Sequence, residues 1–556
     1  MNQKYTVGQY LVDRLGELGL EHLFSIAGDY TINWVNKYVA ASNITIVEEV
    51  NELNAGYAAD GYARLKGIGA LCVTYSAGAL CAVNPIAGAY TERVPVVLIN
   101  GTPDIKKTLT FEQTGFSAHH FISGRETDLQ CFEHITVAAV RVDNPDLAPM
   151  LIDYALTQCI TERRPIYVEL LQDMVDLDCA PPVAPLRPAR ILSDPQNLTD
   201  AIEHIRDRLE QAAKPLIWVG VEVDRLGLQE KTLDLIQRLN IPYVTELLSK
   251  SVLPENNALF AGVFDGQASS AAVQSLVEDA DFILALGVWL TDINLLGWSP
   301  DYGKTAFVSF DTVKYGTYFS PQVALGHLID GLLDKQVTRT DLKPPDASEV
   351  SLVDPPEDEI TYQGFYDFIP EFVDENTIIS SDASLNYFGS LLLRVPTAGG
   401  FIAQSSYSAI GYSAPAATGI CLAKRSSDRV MVFSGDGGFQ MTAQCLSTQT
   451  RFGLNPIIFV IHNGVYGVEQ WLADASVFTT DKPFYNSCVL HPWNYSRLAE
   501  VFGCQGWKVA NYGELRAAIT GALANSNSPS IIEVLVANKT IPANAEWKAS
   551  LDGQSA

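Results

Sequence analysis

Residues 430–463 read VMVFSGDGGFQMTAQCLSTQTRFGLNPIIFVIHN. An apolar, β-branched run at 430–434 meets Gly435-Asp436-Gly437-Gly438. A helical stretch follows, then a second apolar run at 456–461 that ends at His462-Asn463. Two continuously apolar strands joined through a helix predict neighbouring parallel strands covered on both faces. Ligands of open parallel sheets sit at the carboxyl ends of the strands. Glycines there let backbone N–H groups approach a phosphate closely. Asp436 and Asn463 end two different strands and offer hard oxygen donors, which together with diphosphate oxygens suffice for an octahedral Mg2+ site. A Gly-Asp-Gly alone fits a tight strand–helix turn equally well; an Asn placed after a second strand is far more specific.

The same alternation extends through the chain. Further strand candidates lie at 23–27, 70–75, 95–100 and 166–171, at 216–221, 282–286 and 306–310, and at 530–536. Two stretches read as linkers: 180–195 holds five prolines, and 341–359 holds four prolines with seven acidic residues. Proline fixes φ and removes a donor, so neither stretch suits a core element. The expected class is α/β, with three doubly wound parallel-sheet domains: an N-terminal domain over 1–185, a middle domain over 190–340 and a C-terminal domain over 357–556.

Composition narrows the function classes. Lys and Arg number 37 against 64 Asp and Glu, a net charge of −27, which argues against nucleic acid as a partner. An anionic ligand must then be held by local N–H groups or a bound metal. The nine cysteines, Cys72, Cys81, Cys131, Cys159, Cys179, Cys421, Cys445, Cys488 and Cys504, include no CxxC pair and no zinc-ligand spacing, so buried, reduced thiols are expected. Thr6 to Gln9 reads as a capping box, and Asp13, Arg14 and Glu17 interrupt any signal-peptide core. No uncharged apolar run reaches the roughly 18 residues a bilayer requires. These features predict a soluble, cytoplasmic chain with no membrane partner.

Gly435-Asp436-Gly437, 24 residues and then His462-Asn463 resembles the cofactor signature of thiamine diphosphate-dependent enzymes, in which the last pair is Asn-Asn. The resemblance implies thiamine diphosphate and Mg2+ as cofactors. Asp436, Asn463 and the Val465 carbonyl would be the metal ligands, with Gly435, Gly437 and Gly438 beside the diphosphate. His462 departs from the pattern, and Val465 stands where Gly is common. A second match lies in NELNAGYAADGYAR, residues 51–64, where the family's activating glutamate falls on Glu52. Ile410 falls where the family places the bulky aliphatic residue that bends the cofactor. Ser408 and Ser76 fall on the loops that flank it.

The resemblance spans the whole chain and narrows to the 2-oxo acid decarboxylase branch through Asp29, His119, His120 and Glu469. It implies non-oxidative decarboxylation of a 2-oxo acid to an aldehyde and CO2 through a ylide and an enamine, with these four residues sharing the proton transfers. The acyl pocket would comprise Ile293, Tyr387, Phe388, Val468 and Leu472. It looks roomier than that of strict pyruvate enzymes, so a broad range of 2-oxo acids is expected. A homodimer would be the minimal active unit and a homotetramer the usual assembly. An acetohydroxyacid-synthase-like carboligase is the alternative; the paired histidines and Glu469 weigh against it.

Overall fold

The computed structural model describes residues 5–115, 118–334, 339, 342 and 359–554. The second proline-rich stretch and the expected boundary at 340–357 thus lie almost wholly outside the described residues. Three sheets account for the strands. The first holds β1 (His22–Ser25), β2 (Thr45–Glu48), β3 (Gly69–Thr74), β4 (Val96–Thr102), β5 (Ala139–Val142) and β6 (Ile166–Leu171) in the order β2-β1-β3-β4-β6-β5, all parallel. Its inner strands are buried on both faces, as their continuous apolar runs predict.

The middle sheet holds β7 (Pro215–Val219), β8 (Tyr243–Thr245), β9 (Phe260–Val263), β10 (Phe282–Leu286), β11 (Thr305–Ser309), β12 (Thr312–Tyr315) and β13 (Tyr318–Pro321), ordered β13-β12-β11-β10-β7-β8-β9. This sheet is parallel as expected from β11 through β9, with an antiparallel extension at one edge. β12 pairs antiparallel with both β11 and β13. Ser309 opposes Thr312, leaving two residues for the turn, whereas a parallel crossover takes a dozen or more. Pro321 is tolerated because β13 is the edge strand.

The third sheet holds β14 (Thr377–Ser381), β15 (Phe401–Ala403), β16 (Arg429–Gly435), β17 (Ile457–His462), β18 (Gln505–Val509) and β19 (Ser530–Leu535). Its order, β15-β14-β16-β17-β19-β18, repeats that of the first sheet strand for strand, again all parallel. The helices Glu52–Lys66 and Ser413–Ala423 occupy equivalent places, each between the second and third strands of its sheet.

These two helices pack backbone against backbone. A Cβ on Gly419 would sit 1.9 Å from the Ala58 carbonyl oxygen, and one on Gly61 would sit 2.4 Å from that of Ala416. Around this contact Tyr57 is buried in the core of the C-terminal half. The Tyr412 hydroxyl donates to Asp60 at 2.6 Å, and Arg64 bonds both Asp60 and Glu92 at 2.6 Å. The free oxygen of Glu92 accepts from the N–H groups of Ser406 (2.8 Å) and Tyr407 (3.2 Å). Charges buried this deeply need pairing, and here only Asp60 Oδ2 lacks a hydrogen-bond partner among the described residues of this network.

Two smaller expectations change. Thr6 accepts from the Gln9 N–H, but the Gln9 side chain bonds Asp13 instead of completing a capping box. Of the nine free thiols, Cys72, Cys159, Cys445 and Cys488 are buried, while Cys81 and Cys131 are exposed. Among the described residues no helix is long and apolar enough to cross a membrane.

The helix contact predicts a contrast between two glycines. Gly419→Ala forces a methyl into the facing carbonyl and should destabilise the chain by about 1–3 kcal/mol or more. Gly16→Ala, in the helix Val7–Glu17 with nothing within 4 Å of the new methyl, should stabilise it by about 0.5–1 kcal/mol. Denaturant unfolding of the two variants in parallel measures the difference.

Candidate functional site

β16 runs into the helix Asp436–Thr442 through the Gly-Asp-Gly-Gly turn. Two of these glycines are required by close approach: a Cβ on Gly437 would lie 2.3 Å from the Tyr466 ring, and one on Gly438 would lie 2.2 Å from Asp382 Oδ2. Asp436 is buried, its Oδ2 accepting from the Gly464 N–H at 2.7 Å and its Oδ1 from the Gly437 N–H at 2.9 Å. Burial pushes its carboxyl up to about 6 against the pull of the Gly464 N–H and His462. An unpaired acid held this way is a site that gains from a cation.

Next to it, β17 ends at His462, and Asn463 begins the loop. Gly464 takes the left-handed turn at φ 74°, which leaves Val465 an ordinary backbone. Asn463 Oδ1 accepts from the Val465 N–H at 3.2 Å. A cleft opens here at the ends of β16 and β17. Ile410, Gly435, Asp436, Gly437, Gly438, Asn463, Val465, Val468 and Glu469 all border it. Its entire lining comes from the C-terminal half of the chain, residues 362–469.

His462 turns away from this cavity. Its Nδ1 lies 3.0 Å from Glu533 Oε1, and its ring meets Tyr495 edge-on at 5.0 Å. Burial raises the Glu533 carboxyl, but His462, the Ser496 N–H and Lys508 outweigh it and hold the group down at about 2.

Asp382 is the residue that sequence reasoning missed. It follows β14, is fully buried, and accepts from the N–H groups of Gly411 (3.0 Å) and Tyr412 (3.1 Å) and from the Ser434 hydroxyl (3.0 Å). It therefore fixes the loop carrying Ile410 to the strand carrying Asp436. Burial pushes it up to about 6, against those donors. The available signal was an aspartate in Ser381-Asp382-Ala383-Ser384. Its strand, TIISS, is too polar and short to stand out.

A second cluster lies on the N-terminal half. Asp29 follows β1, and its Oδ2 is 2.9 Å from His119 Nε2. The His119 and His120 rings meet edge-to-face at 4.7 Å, and Tyr30 stacks on His119. One ligand-type atom from each of Asp29, His119 and His120 falls within a 4.8 Å span. The Tyr75 hydroxyl donates to the His119 carbonyl. Glu52 opens its helix under the Asn51 cap and faces Gly78, whose Cβ would lie 3.1 Å from Glu52 Oε1. None of these N-terminal residues borders the C-terminal cavity.

The remaining candidates divide. Ser76 and Ser408 take left-handed φ values of 51° and 56°, as does His120 at 68°. Such backbone costs of the order of 1–3 kcal/mol each and gathers at functional sites. The Ser76 hydroxyl is engaged by Asp128 at 3.0 Å, and that of Ser408 by the Ser405 carbonyl at 2.9 Å. Tyr387 and Phe388 are buried on the helix Asn386–Leu392, Phe388 packing on Trp471 at 4.7 Å. Ile293 and Val468 are partly buried against the same core. Leu472 is 49% exposed.

Glu533 generates a pH prediction. A carboxyl held below its ordinary value contributes stability that is complete above the unfolded value of 4.5 and fades as the pH falls through about 2. The destabilisation caused by Glu533→Gln should therefore be full near neutrality and shrink steadily in acid. Paired unfolding curves across that range check it.

Comparison with known proteins follows this geometry. Family models described as the N-terminal, central and C-terminal domains of thiamine pyrophosphate (thiamine diphosphate) enzymes match residues 5–123, 202–333 and 384–534. Pyruvate decarboxylase of Neurospora crassa is 31% identical over 551 residues, covering 96% of this chain and 93% of its own. An alpha-keto-acid decarboxylase of Mycobacterium tuberculosis is 31% identical over 553 residues, covering 97% and 95%. A probable pyruvate decarboxylase of Schizosaccharomyces pombe is 29% identical over 555 residues, covering 96% and 93%. Benzoylformate decarboxylase from Polynucleobacter necessarius superposes with a TM-score of 0.80 at 18% identity, over 97% of this chain and 100% of that one, and so shares the fold.

Proposed function

Because the chain belongs to the thiamine diphosphate-dependent 2-oxo acid decarboxylases, we propose that it converts a broad set of 2-oxo acids to aldehydes and CO2, with Mg2+, in a site built from two copies of itself. Bound thiamine diphosphate supplies the carbon nucleophile and the electron sink for loss of CO2. The donor set beside Asp436 fits the metal: a buried carboxylate, an amide oxygen from Asn463 and the Val465 carbonyl are hard oxygens, three short of an octahedron that diphosphate and water complete. The N–H of Gly438, in the first turn of a helix, suits the diphosphate, while that of Gly437 is held by Asp436.

Ile410 sits on a loop fixed by Asp382 and would keep the cofactor bent. Glu52 exchanges a proton with the aminopyrimidine. Asp29, His119, His120 and Glu469 hold and move protons at the substrate carboxylate and at the carbon that becomes the aldehyde. The Asp29–His119 contact and the adjoining His120 ring support a connected set of proton-holding groups. Ile293, Tyr387, Phe388, Val468 and Leu472 bound the acyl group.

The single observation that carries the two-copy reading is the lining of this cleft: it holds Asp436, Asn463 and Glu469 and no residue of the N-terminal half. In this reading Glu52 and the histidine pair come from a partner chain. Glu52→Gln should cut turnover by about 10² or more while thiamine diphosphate is still retained. Asp436→Ala should lose the cofactor on gel filtration. Co-expressing the two variants rebuilds one intact site in each mixed dimer, so about a quarter of wild-type activity should return. No recovery in isolated mixed dimers would place Glu52 and Asp436 in the same chain's site.

Breadth is tested separately. Pyruvate, 2-oxoisovalerate, 2-oxohexanoate and phenylpyruvate should give kcat/KM values within about 100-fold of one another, since each methylene in such pockets is worth about 1–3 kcal/mol. A larger preference for pyruvate over all three would make this a strict pyruvate enzyme.

A further inference from the structure

At the carboxyl ends of the middle sheet, Glu246 follows β8 and Asp265 follows β9, both almost completely buried. Neither is needed by the chemistry above. Asp265 Oδ1 accepts from the Leu247 N–H at 3.0 Å. Lys250, the cation that faces Asp265, bonds both oxygens of Glu255 at 2.9 Å. Glu246 Oε2 accepts from Asn294 Nδ2, and its Oε1 has no hydrogen-bond partner among the described residues. The groups that face Glu246 are Asn294, the Trp289 and Val221 N–H groups, Glu92 and Asp265, none of them a cation.

Asn294 is itself buried and uses its amide fully. Nδ2 also donates to the Trp289 carbonyl, and Oδ1 accepts from the Thr291 N–H at 2.7 Å, while Thr291 Oγ1 accepts from the Asn294 N–H at 3.2 Å. This reciprocal cap closes the single turn Asp292–Leu295, which carries Ile293. The turn leans on Gly266–Ala268: a Cβ on Gly266 would lie 2.2 Å from the Leu295 carbonyl oxygen, and the Leu296 carbonyl accepts from the Gln267 N–H at 2.9 Å. Ala268 is tied onward, since Asn544 Nδ2 donates to its carbonyl at 3.0 Å and to the Phe388 carbonyl at 2.8 Å. A hydrogen-bonded strap thus runs from Glu246 through the Ile293 turn to the helix holding Tyr387 and Phe388.

We propose that Glu246 and Asn294 are positioning residues for substrate choice: they hold the turn that presents Ile293 and so set the width of the acyl pocket against Tyr387 and Phe388. This rests on the pocket reading given under the proposed function. A buried carboxyl is a costly way to hold a turn. Burial pushes Glu246 up to about 8, so it is largely protonated at neutral pH, whereas the unfolded chain carries it ionised. Stability therefore falls as the pH rises from the ordinary carboxylate range to about 8. What the acid provides in return is a neutral acceptor for Asn294 in a dry site. Ionisation sets a charge beside Asp265 with no counter-cation, draws in water and frees the turn.

The test uses the full chain with thiamine diphosphate and Mg2+, and reads the ratio of kcat/KM for 2-oxohexanoate to that for pyruvate. In the wild type the ratio should hold steady below about pH 7 and drift above about pH 8. Asn294→Ala and Glu246→Ala should shift it about tenfold at neutral pH, through KM of the longer substrate, with cofactor affinity unchanged. Glu246→Gln, which keeps the acceptor but cannot ionise, should keep the neutral-pH ratio and abolish the drift; it decides the matter if the alanine variants do not fold. Ile293→Ala separates the two readings. If it moves the ratio while the Asn294 and Glu246 variants leave it within about twofold and the Gln variant still drifts, the strap is wrong and the pocket stands. If Ile293→Ala leaves the ratio unchanged, the pocket reading falls and the strap with it.

Discussion

Everything in this chain is arranged around one steric constraint: the helices Glu52–Lys66 and Ser413–Ala423 touch backbone to backbone. Only Gly61 and Gly419 allow that distance. Because each helix stands between the second and third strands of its own sheet, the contact relates the two six-stranded sheets as near-equivalent halves. Glu52 opens one helix, and Gly411-Tyr412, fixed by Asp382, leads into the other. The seam that holds the halves together therefore also positions Glu52 and the Gly411-Tyr412 turn. Asp60, Arg64, Glu92 and Tyr412 complete it, a buried ion network whose value lies in geometry more than in stability.

The chain's strong negative charge gives the rest of the site its logic. A diphosphate gains nothing from the global field of a protein at −27. Attraction must be local, and in the proposed reading the cleft would provide it through an N–H group at a helix start and a carboxylate whose burial favours a cation. Asp382, equally buried, spends its oxygens on Gly411, Tyr412 and Ser434. Two aspartates in one neighbourhood thus differ in hydrogen bonding, Asp382 accepting from Gly411, Tyr412 and Ser434 and Asp436 accepting one N–H on each oxygen.

Much of this is legible in the sequence, and the boundary between what is legible and what is not has physical causes. The strands at the centres of the sheets are long apolar runs, and β6 and β10 fall at their expected residues. Gly437, Gly438 and Asn463 stand out because close approach and strand ends demand particular residue types. β5, β13 and β18 escape notice since edge strands alternate weakly or carry polar faces, and β12, paired on both sides, is only four residues long with Thr312 and Lys314 in it. β14 escapes for another reason: Ser380 and Ser381 are buried but polar, so neither hydrophobicity nor alternation marks them. Asp382 is hidden with it. The antiparallel hairpin at β11–β13 turns on a two-residue loop that composition does not reveal. Strand order, and with it the equivalence of the two halves, is a long-range property that no local pattern encodes.

The seam also has a consequence for how the chain is made. Asn54, on one side of it, reaches the Thr442 carbonyl across 388 positions of sequence. Contacts of such separation form late, because the loop entropy between them must be overcome before they yield anything. A nascent chain that has emerged only through the middle domain already carries the helix Glu52–Lys66, with Tyr57, Ala58 and Gly61 bare and no partner yet synthesised. That apolar face is then open to any other incomplete chain nearby. The feature that joins the two halves of the finished chain is thus an exposed apolar surface in the half-built one.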